Sequence, residues 1–213
     1  MHFLSPLLEN YIANNSQDEP EVLTELTKIT HQKVLQPRMI TGHFQGRVLS
    51  LLSKIIRPKS ILEIGTYTGY SAICLAEGLP SNGVLHTIDV NEELHTLQRT
   101  YFDKSGFGHQ IIQHVGDALK IIPKMDVVFD LVFIDAEKAS YDAYFEAVLQ
   151  KTRSGSVILS DNVLWSGKVI EPLQAKDKVT KLLLEYNQKL KNDPRVETVL
   201  LPIRDGITLT RVL

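Results

Sequence analysis

Two acidic residues, an asparagine and a lysine follow apolar segments of this chain, and their types suit metal-assisted proton transfer. Asp135 comes directly after four apolar residues, and Lys138 lies three positions further on. Asp161 and Asn162 end a later apolar segment in the same way. Two carboxylates and one amide oxygen form an all-oxygen ligand set. Such a set suits a hard divalent cation such as Mg²⁺ and does not suit a structural zinc site.

Lys138 is the candidate general base of this group. A free lysine is a poor base at neutral pH, but a nearby divalent cation and partial burial both disfavour its charged form. A bound metal would also acidify a coordinated hydroxyl, so the proton need not travel far uphill. The alternatives are an exposed loop lysine paired with Glu137, and a capping role for Asp161 or Asn162. The three oxygen ligands together favour the metal site, and Glu137 is then solvated surface.

A second group of residues has the types needed to hold a nucleoside. Gly65 and Gly69 follow an apolar segment, and glycines there allow a sharp turn and a close approach by a ligand. A helix that begins near Gly69 would point its first N–H groups at that ligand. Glu63 would repel a diphosphate, so it suits a cationic or hydroxyl-bearing ligand instead. Asp89, twenty residues after Gly69, could bond both ribose hydroxyls of an adenosine.

Asp117, in the segment Gly116-Asp117-Ala118, would lie near the adenine of the same ligand. Taken one at a time, glycines at a strand end are often only turn residues, and an acidic residue there is often a helix cap. Several such residues at the carboxyl ends of predicted strands favour ligand binding, because open α/β sheets bind ligands at that edge.

The elements that must position these residues alternate between strand and helix. Short apolar runs are typical of strands buried on both faces, and they occur at 60–64, 84–88, 111–115, 131–134 and 156–159. Helical patterns fall between them at 70–77, at 92–104 after the N-cap candidate Asn91, and at 141–151. This alternation predicts a parallel sheet with right-handed crossovers. The strand ends that carry Asp135 and Asp161 would then be neighbours.

The two ends of the chain differ from this pattern. Three helices are predicted before residue 60, at 6–13, 20–33 and 41–56. A long helix at 177–192 precedes two strands, 196–201 and 207–212, which predict an antiparallel hairpin. The predicted fold class is therefore α/β with a mixed sheet. One domain, 1–213, is expected, with an N-terminal helical region at 1–58 and an α/β core at 59–213.

Composition indicates an ordinary soluble globular protein. The chain has 213 residues, 43% of them hydrophobic, and a net charge of -2, which gives no indication of nucleic-acid or anionic-membrane binding. Its one cysteine, Cys74, excludes an intramolecular disulfide and is expected in the core. The absence of a signal-peptide pattern and of a long apolar run predicts a cytoplasmic location. The histidines, including His114, lack metal-ligand spacing and are expected at the surface or in turns.

The motifs that carry these residues resemble those of cation-dependent class I methyltransferases. The resemblance is closest to the catechol and caffeoyl-CoA O-methyltransferase family, especially its small bacterial members, and it covers nearly the whole chain. The motifs are Met39-Ile40-Thr41-Gly42 with Gly46, LEIGTYTGYSA at 62–72, TIDVN at 87–91, GDA at 116–118, FIDAEK at 133–138 and SDNVLWSG at 160–167.

The resemblance implies a Rossmann-like class I methyltransferase fold, with a seven-stranded sheet, an antiparallel last strand and helices on both faces. It implies methyl transfer from S-adenosylmethionine to a catechol-like phenolic molecule, with S-adenosylhomocysteine as product, by a homodimer. The implied cofactor-binding residues are Met39, Thr41, Glu63, Gly65, Tyr67, Ser71, Asp89, Asp117, Ala118 and Asp135. The implied metal ligands are Asp135, Asp161 and Asn162, for Mg²⁺ foremost, with Ca²⁺ or Mn²⁺ as alternatives. Lys138, as the base, and Asp135 are the implied catalytic residues.

Two other functions remain open from the sequence. Some relatives methylate a modified wobble uridine of tRNA, which the net charge and the lack of a basic cluster weakly disfavour. A non-catalytic S-adenosylmethionine-binding domain is disfavoured by the complete set of predicted ligands and base. The acceptor is not identified: Arg38 could contact an acidic substrate group, and Trp165 could flank the substrate or pack in the core. Asp205 is not an evident match for the acidic residue that contacts the second hydroxyl in some family members.

Overall fold

The computed structural model describes residues 5–213, so residues 1–4 of the predicted N-terminal region lie outside the described residues. The α-helices are α1 Pro6–Asn14, α2 Glu21–Lys33, α3 His43–Ile56, α4 Tyr70–Ala76, α5 His95–Lys104, α6 Ala118–Ile121, α7 Tyr141–Leu149 and α8 Lys178–Asn192. The strands are β1 Ser60–Ile64, β2 Val84–Asp89, β3 Ile111–Val115, β4 Leu131–Ile134, β5 Val157–Asp161, β6 Val196–Leu201 and β7 Ile207–Val212. None of the helices within residues 5–213 is long and apolar enough to cross a membrane.

The strands form a seven-stranded mixed sheet in the order β3-β2-β1-β4-β5-β7-β6. Parallel ladders join β1 to β2, β2 to β3 and β4 to β5. β7 is antiparallel to both of its neighbours, β5 and β6. The predicted class I methyltransferase architecture, with an antiparallel last strand, is therefore confirmed. The strand and helix bounds differ from the predicted ones by at most a few residues, as is usual at frayed ends.

The chain divides into two compact units, one ending at Asp117 and the other covering Ala118–Leu213. The first unit contains α1–α5 and β1–β3. The apolar side chains of β1 and every residue of α4 are buried in it, as expected of a strand and a helix with few polar positions. Cys74 is fully buried, which confirms its predicted place in the core. The prediction of a single domain spanning 1–213 stays a prediction.

The second unit contains α6–α8 and β4–β7. All four residues of β4 are buried, which explains why that strand has no polar position. α8 begins after Asp177, whose side chain accepts a hydrogen bond from the Thr180 N–H at 3.0 Å and so caps the helix. Tyr141 of α7 and Tyr186 of α8 pack edge to face, with ring centroids 5.4 Å apart. The hydroxyls of these two tyrosines contact Ile134, Ser160 and Asp161, which are the last residues of β4 and β5.

His114 makes a contact that the sequence did not predict. It lies half-buried on β3, and its Nε2 is 3.0 Å from Nδ1 of His86 on β2. The parallel register, which pairs His86 with Ile112 and Ile88 with His114, makes the two imidazoles diagonal neighbours. Their separation of 28 positions in the sequence gave no sign of this contact.

The histidine pair is expected to make the fold less stable in mild acid. Burial, with a contribution from His114, lowers the pKa of His86 from 6.5 to about 4. The unfolded chain therefore binds more protons between these two values, and stability is lost as pH falls through that window. From about pH 7 to about pH 5, wild type should lose on the order of 1–2 kcal/mol more than a His86→Asn variant, after discounting for partial exposure.

Urea unfolding at the two pH values measures this difference. His31→Asn removes an exposed histidine that contacts only the Thr27 carbonyl of its own helix, and it should keep the wild-type pH dependence. An equal pH dependence in wild type and His86→Asn would contradict the assignment.

Candidate active site

The predicted metal ligands of the second unit follow from the register of two parallel strands. β4 and β5 pair from Leu131 with Val157 to Ile134 with Ser160. Asp135 and Asp161 are therefore the next positions on adjacent strands, which are spaced about 4.8 Å apart. Asp161 is buried, whereas the Asp135 side chain keeps 24% of its exposure. The structure thus brings the two predicted carboxylates to one edge of the sheet.

Lys138 belongs to the same group of residues. It begins a short 3₁₀ turn, Lys138–Ser140, directly before α7. Its Nζ donates to Asp135 Oδ1 at 2.8 Å and to the Tyr141 hydroxyl at 2.9 Å. Only 10% of the side chain is exposed, so this is not a solvated loop lysine. Glu137, by contrast, is exposed, as predicted.

Tyr141 is a site residue that the sequence reasoning missed. Its hydroxyl is 2.9 Å from the Asp161 carbonyl oxygen and 3.2 Å from the Ile134 carbonyl oxygen. Burial, and then the charges of Asp135 and Asp161, raise the pKa of Tyr141 well above its usual value, so the hydroxyl stays protonated. Its position three residues after Lys138 was the available signal, since those two side chains meet across one turn.

The segment after β5 has an unusual backbone. Asn162, Trp165 and Ser166 all have positive φ, at 58°, 50° and 54°, a region that side chains other than glycine rarely adopt. Two backbone hydrogen bonds from this segment end on the turn before β7: the Val163 N–H donates to the Gly206 carbonyl and the Leu164 N–H to the Asp205 carbonyl.

Asp205, which is not an evident match for the family's substrate-contacting acid, makes a structural contact. Its Oδ1 accepts a hydrogen bond from the Ser166 N–H. Gly206 allows the close approach, because a Cβ at that position would lie 2.5 Å from Leu164 Cγ. The turn that contains Asp205 and Gly206 therefore holds the segment that begins with Asn162. The indole N–H of Trp165, in the same segment, is buried without a partner among the described residues.

The glycine-containing loop of the first unit is held by Asp89. Gly65 and Gly69 have φ values of 98° and 91°. Oδ2 of Asp89 accepts hydrogen bonds from the Thr66 and Tyr67 N–H groups, at 3.0 and 2.8 Å. Its Oδ1 accepts a third hydrogen bond, from the Asn91 N–H at 2.8 Å. Each carboxylate oxygen has two lone pairs, so one lone pair of Oδ1 stays available for a further donor. The loop and the end of β2 are thereby fixed against each other.

Glu63 and Ser71 are enclosed in the first unit. Glu63 is fully buried, and the Thr87 hydroxyl donates to its Oε2. The hydroxyl of Thr66 is within hydrogen-bond distance of that of Thr87, so the carboxylate ends a chain of polar groups that leads into the loop. Ser71, in the first turn of α4, is 5% exposed. A buried carboxylate in such a chain is typical of a binding group rather than of a solvated one.

Tyr67 connects the loop to the segment that carries Met39 and Thr41. Its hydroxyl contacts the Leu35 and Gln36 carbonyl oxygens, at 3.0 and 3.2 Å, just before the 3₁₀ turn Pro37–Met39. Met39 is largely exposed and Thr41 is buried. Arg38, on the same turn, is exposed.

Asp117 also lies close to the end of β2, because the N–H of Gly116 donates to the Asp89 carbonyl at 2.8 Å. Hydrogen bonds therefore link the loop that contains Gly65 and Tyr67 to Asp89 and, through Thr87, to Glu63. The other predicted cofactor residues of the first unit lie close in sequence to these contacts, namely Met39, Thr41, Ser71 and Asp117. Ala118, which is buried, and Asp135 belong to the second unit.

The donor set of the second unit fits a hard cation. Within residues 5–213, no three His, Cys, Asp or Glu side chains are grouped to hold a metal ion, and the predicted set of two carboxylates and one amide stays a prediction. The negative charge of Asp135 and Asp161 attracts cations to these strand ends, and the Lys138 ammonium, whose Nζ is 2.8 Å from Asp135 Oδ1, offsets part of that charge. Oxygen ligands without sulfur or imidazole favour Mg²⁺ or Ca²⁺ over zinc.

Comparison with known proteins identifies the family. A family model described as O-methyltransferase matches residues 13–213. The caffeoyl-CoA O-methyltransferase of Petroselinum crispum is 34% identical over 220 aligned residues, which cover 97% of this chain and 91% of that protein. The caffeoyl-CoA O-methyltransferase of Zinnia elegans is 36% identical, with 97% and 89% covered.

Solved structures agree with this result. The O-methyltransferase TomG of Streptomyces achromogenes, involved in tomaymycin synthesis and solved with S-adenosylmethionine, has a TM-score of 0.88 at 31% identity, covering 97% of this chain and 96% of its own. The O-methyltransferase of Bacillus cereus, solved with S-adenosylhomocysteine, has a TM-score of 0.89 at 29% identity, covering 97% of both chains. The chain therefore belongs to the O-methyltransferase family, is related to the caffeoyl-CoA O-methyltransferases, and is an S-adenosylmethionine-dependent O-methyltransferase.

Proposed function

We propose that this methyltransferase is metal-dependent and methylates one hydroxyl of a catechol-like small molecule. The observation that carries the proposal is the β4–β5 register, which sets Asp135 beside Asp161 while Lys138 donates to Asp135. Asp135, Asp161 and Asn162 would hold a divalent cation, with Mg²⁺ foremost and Ca²⁺ or Mn²⁺ as alternatives. When bound, this ion would bind two adjacent oxygens of the acceptor and make one of the hydroxyls more acidic.

The first unit would bind the methyl donor through groups of matching chemistry. Buried Glu63 suits the cationic amino group of the methionine portion, and Ser71 could contact its carboxylate. The remaining lone pair of Asp89 suits one ribose hydroxyl, and a second hydroxyl would take the place of a backbone donor such as the Asn91 N–H. Asp117 and Ala118 would lie at the adenine. Met39 and Thr41 would line the methionine end through their backbone.

Lys138 would receive the proton that leaves the acceptor hydroxyl. Its Nζ has two fixed partners, Asp135 and Tyr141, which leave its third substituent direction for the acceptor. Neutral Lys138 would take the proton as the acceptor oxygen attacks the sulfonium methyl carbon, and the carbon–sulfur bond would break. Most of the rate enhancement would come from holding the two reactants in this geometry. The expected homodimer and the cytoplasmic location belong to the same proposal.

Removal of divalent cations is expected to abolish methyl transfer. Purified enzyme would be assayed with caffeate, a dihydroxybenzoate, caffeoyl-CoA and tRNA, each with EDTA and then with excess Mg²⁺. Methylation of a catechol should fall to background with EDTA and return with Mg²⁺. Asp161→Ala should weaken calorimetric Mn²⁺ binding by more than tenfold, because even second-shell changes cost about 10–100-fold in metal affinity.

Asp142→Asn is the matched control, because Asp142 is an exposed carboxylate of α7 that pairs with Lys189 on the surface. This variant should keep wild-type metal affinity and activity. Full catechol methylation in the presence of EDTA would refute metal dependence. Methylation of tRNA and of none of the small molecules would refute the acceptor class.

A further inference from the structure

We propose that Tyr141 is a positioning residue, whose buried hydroxyl holds Lys138 against the ends of β4 and β5. This inference rests on the proposed function, because it assigns Tyr141 a part in that reaction through Lys138. In the enzyme without substrate, the orientation of the Lys138 ammonium would likewise depend on the phenolic oxygen of Tyr141.

The hydroxyl of Tyr141 has three polar neighbours, one of which donates to it and two of which can accept its proton. It accepts a hydrogen bond from Lys138 Nζ at 2.9 Å. It can donate its single proton to the Asp161 carbonyl at 2.9 Å or the Ile134 carbonyl at 3.2 Å. These two carbonyls belong to the residues at the ends of β4 and β5. One oxygen atom therefore ties the lysine to both strands that carry the carboxylates.

The surroundings keep this hydroxyl in place. The Tyr141 side chain is fully buried, and its ring packs against Tyr186, which is also buried. The ring of Tyr141 also lies 5.0 Å from Lys138 Nζ. A buried, rigid ring holds its hydroxyl in one position. That hydroxyl can fix the direction of a flexible lysine, whose four-carbon stem has many rotamers. Among residues 5–213, the ammonium has hydrogen bonds to the Tyr141 hydroxyl and to Asp135, so Asp135 alone of these two would remain without the hydroxyl.

Tyr141→Phe tests the assignment, with Tyr186→Phe as the matched control. Each variant removes one buried hydroxyl from the same pair of rings, but the Tyr186 hydroxyl contacts Ser160 and not Lys138. Tyr141→Phe should lower kcat about tenfold or more, since misplacement by about 1 Å can cost 100-fold. The KM for S-adenosylmethionine should stay unchanged. Tyr186→Phe should change kcat less than about twofold, with a similar fall in Tm.

A second measurement needs no substrate. Acetylation of lysines by N-hydroxysuccinimide acetate, followed by peptide mass spectrometry, should label Lys138 several-fold faster in Tyr141→Phe than in wild type. Labelling in Tyr186→Phe should match wild type. In a Lys138→Met background, Tyr141→Phe should cause no further loss of kcat, because its effect passes through the lysine.

Equal losses of kcat in the two phenylalanine variants would overturn the proposal, and so would unchanged Lys138 labelling in Tyr141→Phe. If wild type methylates no catechol, the proposed function fails, while the labelling result still decides whether Tyr141 holds the lysine.

Discussion

A Lys138→Met variant is expected to lose about 10²–10⁴-fold in kcat, the usual contribution of a general base. Methionine keeps the length and apolar stem of the side chain but cannot accept a proton. Lys138 is nearly buried and donates to Asp135 and Tyr141. Because its surroundings are nearly closed to solvent, bulk water is a poor substitute for it as the proton acceptor. Affinity for S-adenosylmethionine should change little, because most of the expected donor-binding residues belong to the first unit and Lys138 belongs to the second. Steady-state kinetics and calorimetry with S-adenosylhomocysteine measure the two quantities.

Glu137→Gln is the matched control for this variant. Glu137 is the adjacent charged residue, but it is exposed, and within the described part of the chain its carboxylate accepts one hydrogen bond, from the Ser140 hydroxyl at 3.4 Å. Its substitution should leave kcat within about twofold of wild type, as for most surface changes. Activity of Lys138→Met within about threefold of wild type would remove Lys138 from the role of base.

Gly69→Ala is expected to lower the free energy of unfolding by about 2–5 kcal/mol. Two effects add here. Gly69 has a φ of 91°, which strains any other residue, and a Cβ would lie 2.5 Å from Cε1 of Phe102. Phe102 is fully buried and its ring cannot turn aside without moving the core. The loop would shift, so binding of S-adenosylhomocysteine should weaken as well. Urea unfolding and calorimetry measure both changes.

Gly106→Ala separates strain from collision. Gly106 has a similar φ of 83°, but a Cβ there would meet nothing within 4 Å. That variant should lose only about 1–2 kcal/mol, the usual cost of a left-handed residue with a side chain. Equal losses at positions 69 and 106 would show that the contact with Phe102 does not constrain the loop.

Most of the sheet could be predicted from the sequence, because its strands are apolar runs with few polar positions. β4 was predicted with its observed bounds, since Leu131–Ile134 is buried on both faces and ends abruptly at Asp135. The hairpin of β6 and β7 was predicted from its turn. The sequence did not predict α6, because a four-residue helix has too little periodicity to be recognised. It also gave no indication that β7 would lie between β5 and β6.

The site could be predicted only in part. Strand-end acids at 89, 135 and 161 are visible in sequence because each interrupts an apolar run. The contacts of Tyr141, Asp205 and the His86–His114 pair depend on which strands are neighbours and in which register. Register is a tertiary property, so composition and spacing do not give it. Asp205 is the clearest case: the sequence assigned it no contact, and its carboxylate accepts a hydrogen bond from the Ser166 N–H, 39 positions away in the chain.

Two constraints limit the choice of amino acid at position 162: the left-handed backbone and the proposed role as an oxygen ligand. Glycine would adopt a φ of 58° without strain but would bring no oxygen ligand. Glutamine would bring the same amide group and does occur in this region at Gln36, with a φ of 59°, but asparagine is several-fold enriched there. Aspartate would tolerate the backbone and add a third negative charge to a group that already contains Asp135 and Asp161. In the proposed metal site, asparagine therefore combines a neutral oxygen ligand with a preference for the left-handed region, so backbone shape and ligand chemistry would favour the same residue independently.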